Sequence, residues 1–386
     1  MGVVCTACSC LCDDIVIKDG KIYHACRKGC MLLTGEREKT RVEGGEADVE
    51  KAVERARELL KKPLILGLDN VCCEAQKAAL KLAEETGAAV VDHSLLSGGE
   101  LIRFAKELGR EIEFEKFRDE GYLSFYWGAN PHNSLPRHLS RFTYYPRSGK
   151  RQRGYEEDRF LVVADVRRSE TAKIAEKSKS GLFLKVEKDG ELVDSLLKAA
   201  EGKAGKYVEA ARVLKEIEKA EVNAIFGGSG LYWGLRDLTK LGELVEKLDI
   251  SFVPLTSKAN MRGFAELMMK KAGSLCYDFG EGREIGLEDL PAVFESCKSV
   301  LVVGADPMRT FPHSLVEKLA GKDVIIVNSL KSVTSRVIDV EVVIATELSS
   351  FSGGRMIRSD GVEVEIPSHP SSHTTLGDAE VLEMLR

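Results

Sequence analysis

No run of about 18 apolar residues occurs in this 386-residue chain, so nothing in the sequence reads as a membrane-spanning helix. An excess of basic charge is also missing: 56 Lys and Arg stand against 61 Asp and Glu, and a net charge of −5 sets up no field that would gather nucleic acid. Repeats of short fixed period and low-complexity segments are absent. No apolar export segment precedes the first cysteine, Cys5, which argues against a disulfide framework and for a reducing, cytoplasmic compartment. What is present is an ordinary globular composition, 44% hydrophobic and 30% charged. The length suits about two to three domains.

Cysteine is concentrated. Of ten cysteines, six fall within the first thirty residues: Cys5, Cys8, Cys10, Cys12, Cys26 and Cys30. Thiolates this dense serve either a tetrahedral zinc or a cubane iron–sulfur cluster, and a zinc ribbon usually supplies two Cys-x2-Cys knuckles. Here Cys5-x2-Cys8-x3-Cys12 followed by a distant Cys26 fits a [4Fe-4S] cluster better than zinc. Cys10 and Cys30 remain as alternate ligands or small buried hydrophobes.

Behind this unit the pattern predicts alternating helices and strands. Residues 15–23 read as a hairpin turning at Asp19-Gly20. Asp48 can cap a helix from Val49 that Pro63 ends, a strand follows at 64–67, and a helix over 74–86 closes with Gly87 before a strand at 89–92. That is a βαβ unit, which implies parallel strands. Four further strands end in loops of Gly, Asn or Asp: Gly128-Ala129-Asn130-Pro131, Asp165-Val166-Arg167-Arg168, Gly227-Gly228-Ser229-Gly230 and Gly304-Ala305-Asp306-Pro307. Each alone reads equally well as a tight βα turn; four together point to a nucleotide-containing cofactor at a carboxyl edge. The basic stretch 132–159 suits phosphates or a solvated loop, and the tail reads as a polar loop and a short helix. Trp127 and Trp233 beside these loops are candidates to stack on a ring, although aromatics at sheet edges usually belong to the core.

Taken in order, the cysteine unit with Cys12-Asp13-Asp14-Ile15, Cys73-Glu74-Ala75-Gln76, Tyr126-Trp127-Gly128-Ala129-Asn130-Pro131, Pro136-Arg137-His138, Asp165-Val166-Arg167-Arg168 and Gly304-Ala305-Asp306-Pro307 resemble the B subunit of formylmethanofuran dehydrogenase, a branch of the molybdopterin oxidoreductases. The resemblance implies an α/β chain. A small N-terminal [4Fe-4S] domain (1–48) would precede two doubly wound α/β domains, one from 49–120 plus about 290–386 and a dinucleotide-binding one over 121–289, without the C-terminal β-barrel of single-chain relatives. It implies cluster ligands Cys5, Cys8, Cys12 and Cys26, and tungsten or molybdenum carried by bis-molybdopterin guanine dinucleotide. Gly128, Asn130, Asp165, Arg167, Gly228, Ser229, Gly304 and Asp306 would face those dinucleotides. It further implies a cytoplasmic archaeal complex that reversibly reduces carbon dioxide to formate in methanogenesis-type metabolism. Its partners would be a barrel-like dinucleotide-binding subunit, an amidohydrolase subunit that formylates methanofuran, and a ferredoxin-like subunit.

The chain departs from the family where the metal should be held. Relatives carry a cysteine or selenocysteine after the strand ending at Asp92, whereas this chain reads His93-Ser94-Leu95-Leu96-Ser97 and has no cysteine between Cys73 and Cys276. Ser97 is the conceivable replacement, a harder donor than thiolate, with capping of the helix near Gly99 as its plainer role. An arginine expected near the metal is replaced by Leu255-Thr256-Ser257-Lys258. Two other readings therefore stand beside the enzyme: a non-catalytic paralogue that keeps the cluster as an electron relay or assembly subunit, and a zinc-stabilised nucleotide-binding module.

Overall fold

A computed structural model describes residues 1–369 and 376–386; residues 370–375, in the tail expected to hold a polar loop, lie outside the described residues. Among those described, the chain divides into two compact units. The first comprises Met1–Gly99, Lys258–Arg358 and Glu363–Arg386, and the second Glu100–Ser257 with Ser359–Val362. Both are α/β, as the alternation in the sequence predicts.

In the first unit the central parallel strands lie in the order Ala89–Val91, Leu64–Gly67, Ser299–Val303, Asp323–Asn328, Val342–Ala345. Antiparallel edges flank them, Tyr277–Asp278 beside Ala89–Val91 and Arg41–Val42 beside Val342–Ala345. Numbered along the chain, the parallel order is 2-1-3-4-5. Leu64–Gly67 and Ser299–Val303 are buried throughout, which fits strands covered on both faces. Asp48 caps the helix Val49–Leu59 by accepting from Lys51 N at 2.8 Å, a bond worth about 1 kcal/mol. The helix Cys73–Thr86 ends at Gly87 with φ 65, a left-handed conformation that suits glycine.

The amino-terminal segment belongs to this unit and forms a small antiparallel sheet from Gly2–Val3, Ile15–Lys18 and Lys21–Tyr23. Asp19 and Gly20 both take positive φ at the hairpin, as a two-residue turn of this hand requires.

In the second unit the strands run Gly181–Lys185, Phe160–Asp165, Leu123–Trp127, Asn223–Gly227, Ser251–Pro254, all parallel. Their sequence order is 3-2-1-4-5. A core of Phe125, Trp127, Val162, Ile225, Leu231 and Phe252 fills one side of the sheet. In the basic stretch after Pro131, His132, Arg147, Lys150 and Arg153 are exposed, whereas His138 and Arg159 are buried. Arg159 is fully buried and donates to the carbonyls of Pro146 and Gly121 at 3.0 Å each, while His138 Nδ1 meets the Tyr126 hydroxyl at 2.8 Å.

Candidate functional site

In open α/β sheets a ligand cleft forms at the carboxyl edge where strand order reverses, because the loops on either side of that point turn to opposite faces. The second unit reverses between Leu123–Trp127 and Asn223–Gly227, and the first between Leu64–Gly67 and Ser299–Val303. The loops that begin at Gly128, Gly228 and Gly304 therefore stand at switch points.

The two units build these loops alike. Gly128 and Gly304 both turn left-handed, at φ 57 and φ 58. The third residue then reaches across to the next strand's loop. Asn130 Oδ1 accepts from Thr171 Oγ1 at 2.7 Å, and Asp306 Oδ1 accepts from Thr334 Oγ1 at 2.6 Å. Pro131 and Pro307 each start a short helix. No short-period repeat in the sequence announces this pairing, since the copies lie far apart and agree at three of four residues, with Asn130 in one where Asp306 stands in the other.

These side chains are partnered within the protein. Asn130 Nδ2 also donates to Glu170 at 3.1 Å, and Asp306 accepts further from Val333 N at 2.9 Å. Gly128 and Gly228 are required by packing: a Cβ on Gly128 would lie 2.1 Å from Leu231 N, and one on Gly228 2.4 Å from Gly128 O. Backbone is thereby left as the surface these loops offer a ligand. Asp165 is half-buried and accepts from Arg167 N at 3.1 Å, with the Arg167 side chain exposed. Ser229 opens the helix Ser229–Leu235 and is exposed. Trp127 is fully buried, stacked on Phe125 and donating to Asp189 at 2.6 Å, so its role is in the core. Trp233 is 38% exposed beneath the Arg236 guanidinium.

At the switch point of the first unit lies a cavity of about 320 Å³. Asn70, Gly304, Asp306 and Asn328 come from the strand ends, Lys258 and Arg309 bring positive charge, and Thr6 and Ala7 belong to the cysteine loop. Thr6 is anchored there, its amide 3.1 Å and its hydroxyl 2.9 Å from the Ser350 hydroxyl. The sequence reading named four strand-end loops and missed this fifth, Leu68-Asp69-Asn70, although it follows a recognised strand directly.

Cys5, Cys8, Cys10 and Cys12 are buried in one tight loop, closed by Cys5 N donating to Cys12 O at 2.8 Å. Burial pushes the Cys5 thiol up to about 12, and Cys8, Cys12 and Cys26 each add to that as neighbouring negative charges. Cys8 is held at about 7, chiefly by a hydrogen bond from the fully buried Cys10, with Lys28 assisting. Gly29 lies against Cys5: a Cβ there would come within 3.0 Å of its sulfur. Among the described residues no group of three or more His, Cys, Asp and Glu side chains is drawn closely enough to hold a single metal ion.

Ser97 does not cap the following helix. It is the last residue of Ser94–Ser97, where its hydroxyl donates to His93 O at 3.0 Å and lies 3.5 Å from Met261 Sδ, and Gly98 ends the turn at φ 85. Cys72 is buried at the start of its helix, and Cys73 lies 3.9 Å from Asn260 Oδ1.

No family model matches the chain. Over its full length it is 28% identical to the B subunit of the tungsten-containing formylmethanofuran dehydrogenase 2 of Methanococcus maripaludis, spanning 97% of that protein. It is 27% identical to the protein of the same name from Methanocaldococcus jannaschii, again spanning 97%. Among solved structures it resembles the formyltransferase/hydrolase complex FhcABCD from Methylorubrum extorquens with methylofuran (TM-score 0.65, 19% identity, 90% of this chain and 97% of that one). It also resembles acetylene hydratase from Pelobacter acetylenicus (TM-score 0.59, 11% identity, 100% and 68%). The chain has the fold of these structures and is a full-length relative of the formylmethanofuran dehydrogenase B subunits. No helix among the described residues is long and apolar enough to cross a membrane.

Proposed function

We propose that this chain serves as the B subunit of a formylmethanofuran dehydrogenase-type complex, placing a [4Fe-4S] cluster beside a pterin-dinucleotide cofactor for the reversible reduction of carbon dioxide to formate. The observation that carries this reading is the cavity of the first unit, whose wall joins the cysteine loop at Thr6 and Ala7 to the switch-point loops at Asn70, Gly304 and Asp306. A cluster there would lie one loop away from a bound ligand.

Cys5, Cys8, Cys12 and Cys26 would hold the cluster. The backbones at Gly128, Gly228 and Gly304, with Asn130, Asp165, Arg167, Ser229 and Asp306 around them, would receive the dinucleotides. When bound, a tungsten or molybdenum pterin supplies two-electron chemistry, and the cluster carries those electrons singly. Mutual electrostatic influence at Cys5 and the backbone at Gly128, Gly228 and Gly304 support placing the cluster and the dinucleotides there. The residues present do not fit the metal, because no cysteine lies between Cys73 and Cys276 and the Ser97 hydroxyl donates to His93 O.

That mismatch supports a second reading, a cytoplasmic relay or assembly subunit that keeps the cluster without the catalytic metal. The fold is found also in a complex named for formyl transfer and hydrolysis, which accords with it. Either way the partners would be a barrel-like dinucleotide-binding subunit, an amidohydrolase subunit and a ferredoxin-like subunit. The test is anaerobic purification with the barrel-like partner, followed by analysis of iron, tungsten, molybdenum and released guanine nucleotide. About four irons with one tungsten or molybdenum upholds the enzyme, and four irons alone upholds the relay. Zinc in place of iron sinks both.

A further inference from the structure

Asp69 and Asp92 are buried carboxyl groups at the ends of adjacent parallel strands, 1% and 0% exposed. Leu66 pairs with Val91 in the register, so the chain reaches Asp92 one residue and Asp69 three residues beyond neighbouring positions about 4.8 Å apart. Each carboxyl has one oxygen satisfied: Asp69 Oδ1 accepts from Asn70 Nδ2 at 2.9 Å, and Asp92 Oδ1 from Ser94 N at 2.7 Å. The other oxygen of each, Oδ2, is buried without a hydrogen-bond partner, as are His93 Nδ1 and Ser94 Oγ beside them.

The groups facing this pocket are few. Asp92 N lies 3.4 Å from the Cys276 sulfur, His93 follows Asp92 in the chain, and Lys258 approaches from the segment leading into the helix Met261–Ala272. Burial holds His93 below the usual imidazole range, so near neutral pH it supplies no full counter-charge. Lys258 is half-buried in the cavity wall and interacts electrostatically with both Asp92 and His93. Two anionic carboxylates buried near each other with one partly exposed ammonium leave an uncompensated charge, which destabilises the fold unless a proton removes it.

We propose that Asp92, buried next to the Asp69 carboxylate, carries a proton and forms a buried acid beside the cavity, with Lys258 as the cation that sets how tightly that proton is held. Burial, reinforced by the Asp69 charge, pushes the Asp92 carboxyl well above its ordinary range, while the Ser94 amide hydrogen bond and Lys258 oppose that shift. The inference concerns this chain's own carboxyls and does not depend on the cofactor it carries.

The experiment is infrared spectroscopy of the purified full-length chain across a pH series in water and in deuterium oxide. A background of Asp378→Asn is used because Asp378 itself titrates near pH 6. The expected result is the carbonyl stretch of a protonated carboxyl at pH 7, shifted by deuterium and lost in Asp92→Asn. Asp69→Asn should lower its titration midpoint by about one pH unit or more, and Lys258→Met should raise it. Absence of the band at pH 7, its survival in Asp92→Asn, or an unmoved midpoint in Asp69→Asn overturns the proposal. Should Asp92→Asn fail to fold, the parent chain with the Asp69 and Lys258 variants still decides.

Discussion

The Asp306 carboxylate accepts two hydrogen bonds from Thr334, one from its amide at 3.0 Å and one from its hydroxyl at 2.6 Å. This clasp ties the loop after one strand to the short helix after the next, and Asn130 with Thr171 does the same in the other unit. Replacing Thr334 by Val removes the hydroxyl and leaves the amide bond. The expected loss is about 1–2 kcal/mol in urea unfolding, because a charge-assisted bond is deleted at a half-buried site. Thr334→Ser should recover most of it.

Gly128 and Gly109 have similar positive φ, 57 and 64, but different surroundings. A Cβ at Gly128 would strike backbone 2.1 Å away, whereas nothing lies within 4 Å of one at Gly109. Gly128→Ala should therefore cost about 2–5 kcal/mol, combining left-handed strain with overpacking, and Gly109→Ala only about 1 kcal/mol. Denaturant midpoints of the two variants check this, and equal losses would falsify the packing argument.

Asp378 is buried and accepts from the Thr346 hydroxyl at 2.7 Å, and burial pushes its carboxyl up to about 6 from the ordinary 3.8. A raised acid stabilises the fold while it is protonated and loses that contribution as pH rises through the folded value. The loss should run from about pH 4 to about pH 6 and reach roughly 3 kcal/mol. Asp378→Asn stays neutral, so its stability relative to the parent should climb across that window. A flat difference between pH 4 and 7 contradicts this.

Cluster ligation can be read from iron content after anaerobic reconstitution. Cys12→Ala and Cys26→Ala should each lose most of the iron bound by the parent, while Cys30→Ala and Cys10→Ala should retain it. Retention in Cys26→Ala with loss in Cys30→Ala would move the fourth ligand to Cys30.

Ser97→Ala tests the catalytic centre. Because the hydroxyl is engaged within its own helical turn, the variant should keep any tungsten, molybdenum and nucleotide content of the parent and change stability by about 1 kcal/mol or less. Selective loss of tungsten or molybdenum would restore Ser97 as a ligand.

The elements legible in the chain were those set by local chemistry. Alternation of apolar runs marked the strands Leu64–Gly67 and Phe160–Asp165, Asp48 and Gly87 marked helix ends, and Asp19-Gly20 marked the hairpin, because caps and turns depend on a few adjacent residues. Cysteine spacing marked Cys5, Cys8, Cys12 and Cys26, and the last three act on the Cys5 thiol as neighbouring charges. Other roles depended on residues distant in sequence. That Trp127 and Arg159 are core, that the Asn130 and Asp306 side chains are occupied by Thr171 and Thr334, and that Asp92 feels the charges of Asp69 and Lys258 follow from strand order and packing. A sequence states which side chains can donate, accept or ionise; only the packing of parallel strands decides which of them are given partners and which are buried without one.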